Sequence, residues 1–405
     1  MAVSRAAREC LAEAENLIRR FGPRLTGSAA SRATAESIRD SLARSCDTAT
    51  LESFDVRPGS FYSYTKILPL SYLLGAAAFF FPPIFALIPV VALSAGMLVM
   101  FCQFAFYVHF PDFLFRHRIG WNVSATIEPH NSARQVLILS GHHDSAPVAR
   151  IFDSPFFRLY VPAIFLPYAF FLFELAMLLA RLAGGFASVP VWVPALLAGG
   201  LPAAAGYFLL VALRRGSPGA GDNLISSLMV ARLARDIAAD RTLLKSTRLL
   251  VVSFDAEEAG LRGAAAWFRV HAPELKRLPC FHLNFDSLYN LRDLQCLVSD
   301  VNGTVSLSTS MADELIRCAA AEGLVMRRFG MIFGAGGTDA AESARVGIPS
   351  SSIIAMPTEL VRPDMVYHTS RDTVEHIEPP VIEACMRIAL RYLEQLDGRR
   401  DPASP

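Results

Sequence analysis

This 405-residue sequence predicts a mixed α/β protein with a mostly parallel sheet flanked by helices, carrying two inserted transmembrane helical hairpins. Three observations lead there. Short, mainly apolar runs such as Gln135–Ser140 and Arg248–Phe254 alternate with stretches of helical periodicity, the pattern of parallel strands covered by helices. Residues 67–110 contain no Asp, Glu, Lys or Arg, and residues 159–213 contain only Glu174 and Arg181. Elsewhere the chain carries charge on roughly a quarter of its residues, as folded domains in water do.

Composition narrows the possibilities. With 53% hydrophobic residues and a mean hydropathy of +0.36, the chain is too apolar to remain disordered. A net charge of +1 argues against a dedicated nucleic-acid binder, and no nucleic-acid partner is expected. The N-terminal MAVSRAARECLAEAENLIRR has no apolar core of a secretory signal. The seven cysteines are odd in number and unclustered, which suits free thiols in a reducing compartment. Asn122-Val-Ser and Asn302-Gly-Thr match the glycosylation pattern and are read as chance matches.

Taken in order, residues 8–20 and 31–44 are expected to be helical, and Thr48–Val56 and Gly120–Ile127 to be strands. Gln135–Ser140 reads as a buried parallel strand. Leu224, Ile225, Leu228, Met229, Leu233 and Ile237 mark a helix. Arg248–Phe254 is a second buried strand, Leu261–Val270 a helix, and Phe281–Phe285 and Ser351–Ala355 further strands. Val381, Ile382, Cys385, Met386, Leu390 and Leu393 define a closing amphipathic helix, and DGRRDPASP a frayed tail. The α/β domain is therefore discontinuous, formed by 1–62, 119–154 and 214–405, with inserts at 63–118 and 155–213.

A membrane-spanning helix needs roughly 20 apolar residues. The first insert allows two spans, near 64–82 and 86–108, broken at Pro82-Pro83. The second allows spans near 160–181 and 190–213, divided by Gly184-Gly185 through Pro190. Buried core helices would pass the same test, but they rarely run in uncharged pairs of this length. Lys66, Arg116, Arg118, Arg150, Arg158, Arg214 and Arg215 flank the inserts. The positive-inside rule then makes this a four-span protein of the lipid bilayer with its α/β domain in the cytoplasm. Glu174 lies within a span, where a carboxyl is costly; it should face another helix or mark a polar pathway.

Five segments place metal-binding side chains just past predicted strands, the edge where open α/β sheets bind ligands. They are Gly141–Ser145 (GHHDS), Gly219–Asn223 (GAGDN), Asp255–Glu258 (DAEE), Asn284–Asp286 (NFD) and Tyr367–Thr373 (YHTSRDT). Each has an ordinary reading by itself. His142 and Asp144 stand two apart in a loop, where Asp144 could accept the second N–H of a metal-binding imidazole. Asp222 precedes a helix, where Asp is a favoured N-cap. Glu257 and Glu258 read equally as a solvated acidic turn, Asp286 as a turn former, and His368 as a loop residue. Together, one imidazole at each end and three or four carboxylates between suit a pair of zinc ions.

The order and wording of these segments, HxD, GAxDN, FDxEE, NxD and HTxxDT, resemble the M28 family of zinc-dependent exopeptidases, the co-catalytic aminopeptidases. The opening FGPRLTGSAASRATAESI is similar as well. The resemblance covers about 1–62, 119–154 and 214–395. It implies two Zn2+ ions held by His142, Asp222, Glu258, Asp286 and His368, with Asp222 bridging. His142 and Glu258 would be terminal ligands of one ion or of neighbouring ions, and Asp286 and His368 would complete the two sites. Glu257 would be the general base and Asp144 would orient His142. The implied substrate is a peptide with a free N-terminus, hydrolysed by a metal-activated water.

The sequence departs from the family in two places. Leu224-Ile225-Ser226 replaces a frequent small-residue run, and Ala340 stands where an SDH-like segment usually has its histidine, after Gly336-Gly337-Thr338-Asp339. A single-zinc glutaminyl cyclase of the same frame is the enzymatic alternative. A non-catalytic membrane scaffold or transport component is the alternative of another class. Because His142 precedes the second insert and Asp222 follows it, that insert must cross a membrane an even number of times, or not at all, if both reach one site. Both ends of the second insert adjoin active-site loops, so the cleft is expected near the bilayer surface, with membrane-associated peptides or peptide fragments released at the membrane as substrates.

Overall fold

The computed structural model describes residues 5–184, 189–358, 362 and 365–398. The expected tail therefore lies outside the described residues beyond 398, as do 185–188 of the second insert. The chain forms two compact units, one from 1–58, 117–147 and 215–405, the other from 59–116 and 148–214.

The first unit is a mixed α/β sheet with helices on both faces. Its strands are β1 (Thr48–Val56), β2 (Arg118–Ile127) and β3 (Gln135–His142). A separate two-stranded ribbon pairs β4 (Pro147–Ala149) with β5 (Val211–Gly216). Then follow β6 (Thr247–Phe254), β7 (Cys280–Leu288), β8 (Leu294–Asp300), β9 (Val305–Ser306), β10 (Arg327–Gly330) and β11 (Ser350–Ala355). The order across the sheet is β1-β2-β6-β3-β7-β11-β8-β10, with β9 paired to β8. The centre, β6-β3-β7-β11, is parallel, and β1 and β2 extend it antiparallel.

Strand periodicity explains how β3 serves two cores. Leu137 and Leu139 join the cluster formed with the helices Arg5–Phe21, Ala29–Leu42, Ile225–Ala239 and Pro379–Asp397. Val136 and Ile138 face the other way, against Trp267 and Phe268 of the helix Arg262–Leu275. A strand buried on both faces must be apolar throughout, which is why QVLILS lacks alternation. The parallel register sets His142 of β3 beside Phe254 of β6, and Ile354 of β11 beside Asp286 of β7. The loops after these strands therefore emerge at one sheet edge.

The second unit is helical. Its helices are Tyr64–Ala78, Leu87–Met100, Tyr160–Gly184 and Val193–Leu209. With their flanking turns, two of them, Pro83–Ala105 and Phe157–Gly184, are long and apolar enough to cross a membrane; the other two are shorter. The first expected span stops at Ala78, before the Pro82-Pro83 break, and the last stops at Leu209 because β5 begins at Val211. Tyr72 donates to the Leu197 carbonyl at 2.7 Å, and the Tyr168 and Tyr207 hydroxyls meet at 2.5 Å. Arg181 donates to the carbonyls of Phe79 and Phe81, satisfying acceptors where the Tyr64–Ala78 helix ends. Glu174 is fully buried and faces Gly75 of that helix, so closely that a side-chain carbon there would lie 2.6 Å from its carboxyl carbon.

Both sequon asparagines are buried. Asn122 donates to the Gly263 carbonyl, and Asn302 accepts from the amides of Gly334 and Gly336. All seven cysteines are free.

Candidate metal centre

The five segments meet at the sheet edge. His142 ends β3, Glu257 and Glu258 follow β6, and Asp286 sits two residues before the end of β7. Asp222 lies in the turn before the helix Ile225–Ala239, and His368 in the loop before the last helix. Asp222 does not cap that helix. Its backbone is non-helical, and residue Leu224 stands at the cap without a side-chain bond.

Two sets of potential ligands share one member. His142, Asp222 and Asp286 form one, and Asp222, Glu258 and His368 the other; a third set, His142, Glu257 and Glu258, overlaps both. Asp222 turns one oxygen to each: Oδ1 lies 3.5 Å from His142 Nε2 and Oδ2 lies 3.1 Å from His368 Nε2. Glu258 Oε2 is 3.3 Å from His368 Nε2, and Asp286 Oδ2 is 3.9 Å from His142 Nε2. Glu257 Oε2 stands 3.6 Å from His142 Nε2.

Asp144 braces the cluster from behind. Its Oδ1 is 3.2 Å from His142 Nδ1 and accepts the Glu257 amide at 3.2 Å. Its Oδ2 accepts the Glu258 amide at 3.3 Å and the Thr26 hydroxyl at 2.8 Å. Asp372 similarly receives the amides of Gly221 and Asp222. Three non-glycine residues beside the cluster hold positive φ: Ala256 at 61°, Ser287 at 51° and His368 at 56°. Such conformations cost of order 1 kcal/mol each and gather at functional sites.

The carboxyl groups of Asp144, Asp222, Glu257, Glu258, Asp286, Asp339 and Asp372 are all buried here. Burial, reinforced by neighbouring carboxylates, pushes Glu257 and Asp339 well above the usual carboxylic range, and Glu258 and Asp286 up to about 7. Burial opposes charge on the imidazoles, but the facing carboxylates prevail, raising His142 well above its ordinary value and His368 to about 10. Asp222 is also disfavoured by burial, yet hydrogen bonds from both histidines hold it low. Glu258 Oε1, Asp286 Oδ2 and His142 Nε2 are buried without a hydrogen-bond partner, and His142 Nδ1 has Asp144 Oδ1 beside it at 3.2 Å. A surplus of buried carboxylate is stable only if protonated or neutralised by a cation. Oxygen and imidazole donors in this proportion suit zinc, so the residues fit that metal.

Other residues at the site carried no role in the sequence reading. The Tyr367 ring stacks on His368 with centroids 3.8 Å apart. Burial and the charges of Asp222, Glu258 and Glu257 raise its phenol well above the ordinary value. Asp339 faces inward with both oxygens unpartnered. The adjacency of tyrosine and histidine in YHT was a usable signal for the first, and the Gly336–Asp339 departure for Asp339; nothing local marks Thr26 as a neighbour of Asp144.

An open, mostly parallel sheet that converges carboxylates and imidazoles at its strand ends defines a metallohydrolase-type α/β protein. Residues 204–393 match the profile of Peptidase family M28. His142 and Asp144 precede the matched stretch. The fold is similar to that of a zinc aminopeptidase from Bacillus subtilis (TM-score 0.59, 14% identity, covering 100% of this chain and 98% of that one). It is also similar to a glutaminyl cyclase from Bacteroides thetaiotaomicron bound to N-acetylhistamine (0.58, 12%, 97% and 98%). A Zn-dependent exopeptidase from Parabacteroides distasonis is a further likeness (0.56, 14%, 98% and 100%). No curated protein matches the chain.

Proposed function

We propose that this protein is a membrane-anchored di-zinc aminopeptidase. The observation that carries the reading is Asp222, whose two oxygens face two different histidines, each backed by a further carboxylate. His142 and Asp286 would hold one ion, Glu258 and His368 the other, and Asp222 would bridge. Zinc bound there would supply Lewis acidity and lower the pKa of a coordinated water.

The chain's own residues account for the rest. Glu257 Oε2 faces the same space as His142 Nε2. It is placed to take the water's proton as the scissile carbonyl is attacked and to return it to the departing amine. Asp144 fixes the tautomer and direction of His142 through Nδ1. The excess of carboxylates favours a substrate's protonated N-terminus over an internal peptide, which supports an exopeptidase.

The membrane part rests on the helical unit. In the most apolar stretches of Pro83–Ala105 and Phe157–Gly184, a third or less of the residues are buried. Side chains such as Ile84, Ile88, Phe165 and Leu172 stand exposed, and an apolar surface of this kind suits lipid. Four spans, with the two shorter helices tilted less and the basic flanks cytoplasmic, complete the proposal.

Zinc content and an aminoacyl-arylamide panel test the function together. About two zinc per chain and aminoacyl hydrolysis are expected. Glu257→Gln should keep the metal and lose roughly 10²–10⁴ in kcat. The likeness to glutaminyl cyclases favours a second reading, a one-zinc cyclase: one zinc per chain, with cyclisation of N-terminal glutamine and no aminoacyl release, would establish it instead.

A further inference from the structure

Arg24 belongs to the N-terminal FGPRLTGS segment, far in sequence from every proposed ligand, and its side chain is fully buried. Its guanidinium spends its donors on main-chain carbonyls. Nε donates to His143 O at 2.7 Å, Nη1 to Pro218 O at 2.8 Å, and Nη2 to Gly219 O at 2.7 Å. The Arg24 amide donates to Ser145 Oγ at 2.9 Å, and its carbonyl accepts from the Ser145 amide at 3.1 Å. Among the described residues no carboxylate pairs with it. The field of Asp372, Asp144 and Asp222 favours its charge against the cost of burial.

The positions of those carbonyls matter. His143 directly follows the ligand candidate His142, while Pro218 and Gly219 open the turn that ends at Asp222. One fork thus ties the β3 loop to the Asp222 turn, two segments separated in sequence by the whole second insert. Ser217 adds one main-chain bond between the same segments, to Ala146 O at 2.8 Å. Gly219, at φ 60°, leaves no room for looseness: a side-chain carbon would fall 2.6 Å from Ser145 Cβ and 2.9 Å from Arg24 Nη2.

We propose that Arg24 is a positioning residue, whose buried fork sets the separation of His142 and Asp222 and so the metal affinity of the centre. The proposal rests on the reading that these two residues share a cation. Arginine is required because a planar fork can reach two chain segments at once, whereas a lysine ammonium offers one point of attachment.

The test uses the full-length protein in detergent, comparing wild type with Arg24→Lys and Arg24→Ala. Zinc affinity is measured by chelator competition, thermal unfolding in the absence of metal, and kcat and KM separately. Arg24→Lys should unfold within a few degrees of wild type, yet bind zinc roughly tenfold to a hundredfold more weakly. Its kcat at limiting zinc should fall while KM stays near the wild-type value. Low-millimolar guanidinium chloride should restore zinc affinity to Arg24→Ala. Wild-type zinc affinity in Arg24→Lys would overturn the proposal. So would variants that are all unfolded without metal and gain no zinc binding from guanidinium, since Arg24 would then be a general strut. A wild type that takes up no zinc would instead bring down the underlying metal reading, a separate and visible outcome.

Discussion

Replacing Asp144 with asparagine isolates the contribution of the group behind the metal centre. Oδ1 serves His142 Nδ1 and the Glu257 amide, while Oδ2 serves the Glu258 amide and the Thr26 hydroxyl. Asparagine offers one acceptor oxygen and one NH2, so one pair must face a donor. Keeping the oxygen toward His142 is less costly, because the Thr26 hydroxyl can turn and accept. The Glu258 amide is then buried unsatisfied, at about 1–3 kcal/mol. The bond to His142 also loses its charge assistance, about another 1 kcal/mol. Part of this loss falls on metal binding, where groups orienting a ligand are worth roughly 10–100-fold in affinity. Chelator competition on purified Asp144→Asn should show that drop, with kcat/KM falling in parallel at limiting zinc. Thr26→Val, removing one neutral bond, should cost about 1 kcal/mol of stability and much less affinity. Asp144→Asn with zinc affinity within about twofold of wild type would refute the reasoning that this carboxylate orients His142.

Other consequences can be measured independently. His282 is fully buried between Ser140 Oγ and Ser343 Oγ, and burial lowers it from 6.5 to about 3. Between those pH values the unfolded chain binds a proton that the folded chain refuses, so acidification destabilises the fold, by about 1.4 kcal/mol per pH unit for this residue. His282→Gln should flatten the loss of stability between pH 6 and 4 by one proton's worth; an unchanged slope contradicts this. Gly263→Ala would drive a methyl into the Asp255 carbonyl oxygen, costing about 3 kcal/mol or more in thermal unfolding; an unaltered melting temperature would show that the backbone yields freely. If the helical unit spans the bilayer, the protein should resist alkaline carbonate and leave membranes only in detergent. Gly75→Leu, which meets the buried Glu174 carboxyl, should lower the yield of folded protein in mild detergent, and an undiminished yield would refute that contact.

The central fold was legible because burial on two faces leaves little freedom of composition. QVLILS could hardly be anything but an interior strand, and β1 runs from Thr48 to Val56 as the alternation of TATLESFDV suggests. The stretch from Leu291 to Gly347 was not legible. There β8, LQCLVSD, mixes polar and apolar residues, and β10, RRFG, lies at the sheet edge with its arginines exposed. The helix Thr309–Ala321 did carry a signal, Ser308 as an N-cap bonded to the Met311 amide, but its apolar face is spaced by alanines that give weak contrast. The ligand candidates were legible as short clusters in register. Their grouping was not, because which carboxylate faces which histidine depends on the parallel register of β3, β6 and β7, a property of no single segment. Asp222 shows the difference best: local rules favour a helix cap there, and the placement of its two oxygens toward His142 and His368 is a property of the tertiary fold alone.

The centre opposes the rules that shape the rest of the fold. Elsewhere the interior strands β3 and β6 are mainly apolar and largely buried. At the sheet edge the carboxyl groups of Asp144, Asp222, Glu257, Glu258, Asp286, Asp339 and Asp372 are all buried, and Ala256, Ser287 and His368 hold a left-handed backbone at or beside the proposed site residues. Neither feature helps an uncharged, metal-free chain to fold, and local conflicts of this kind persist where function requires them. The surrounding apparatus has a consistent direction: Asp144, Asp372 and Arg24 bind main-chain atoms of the segments that carry the proposed ligands, not the ligands' coordinating atoms. They fix where the donors stand and leave the donors' lone pairs free, as expected of a frame built to receive a cation.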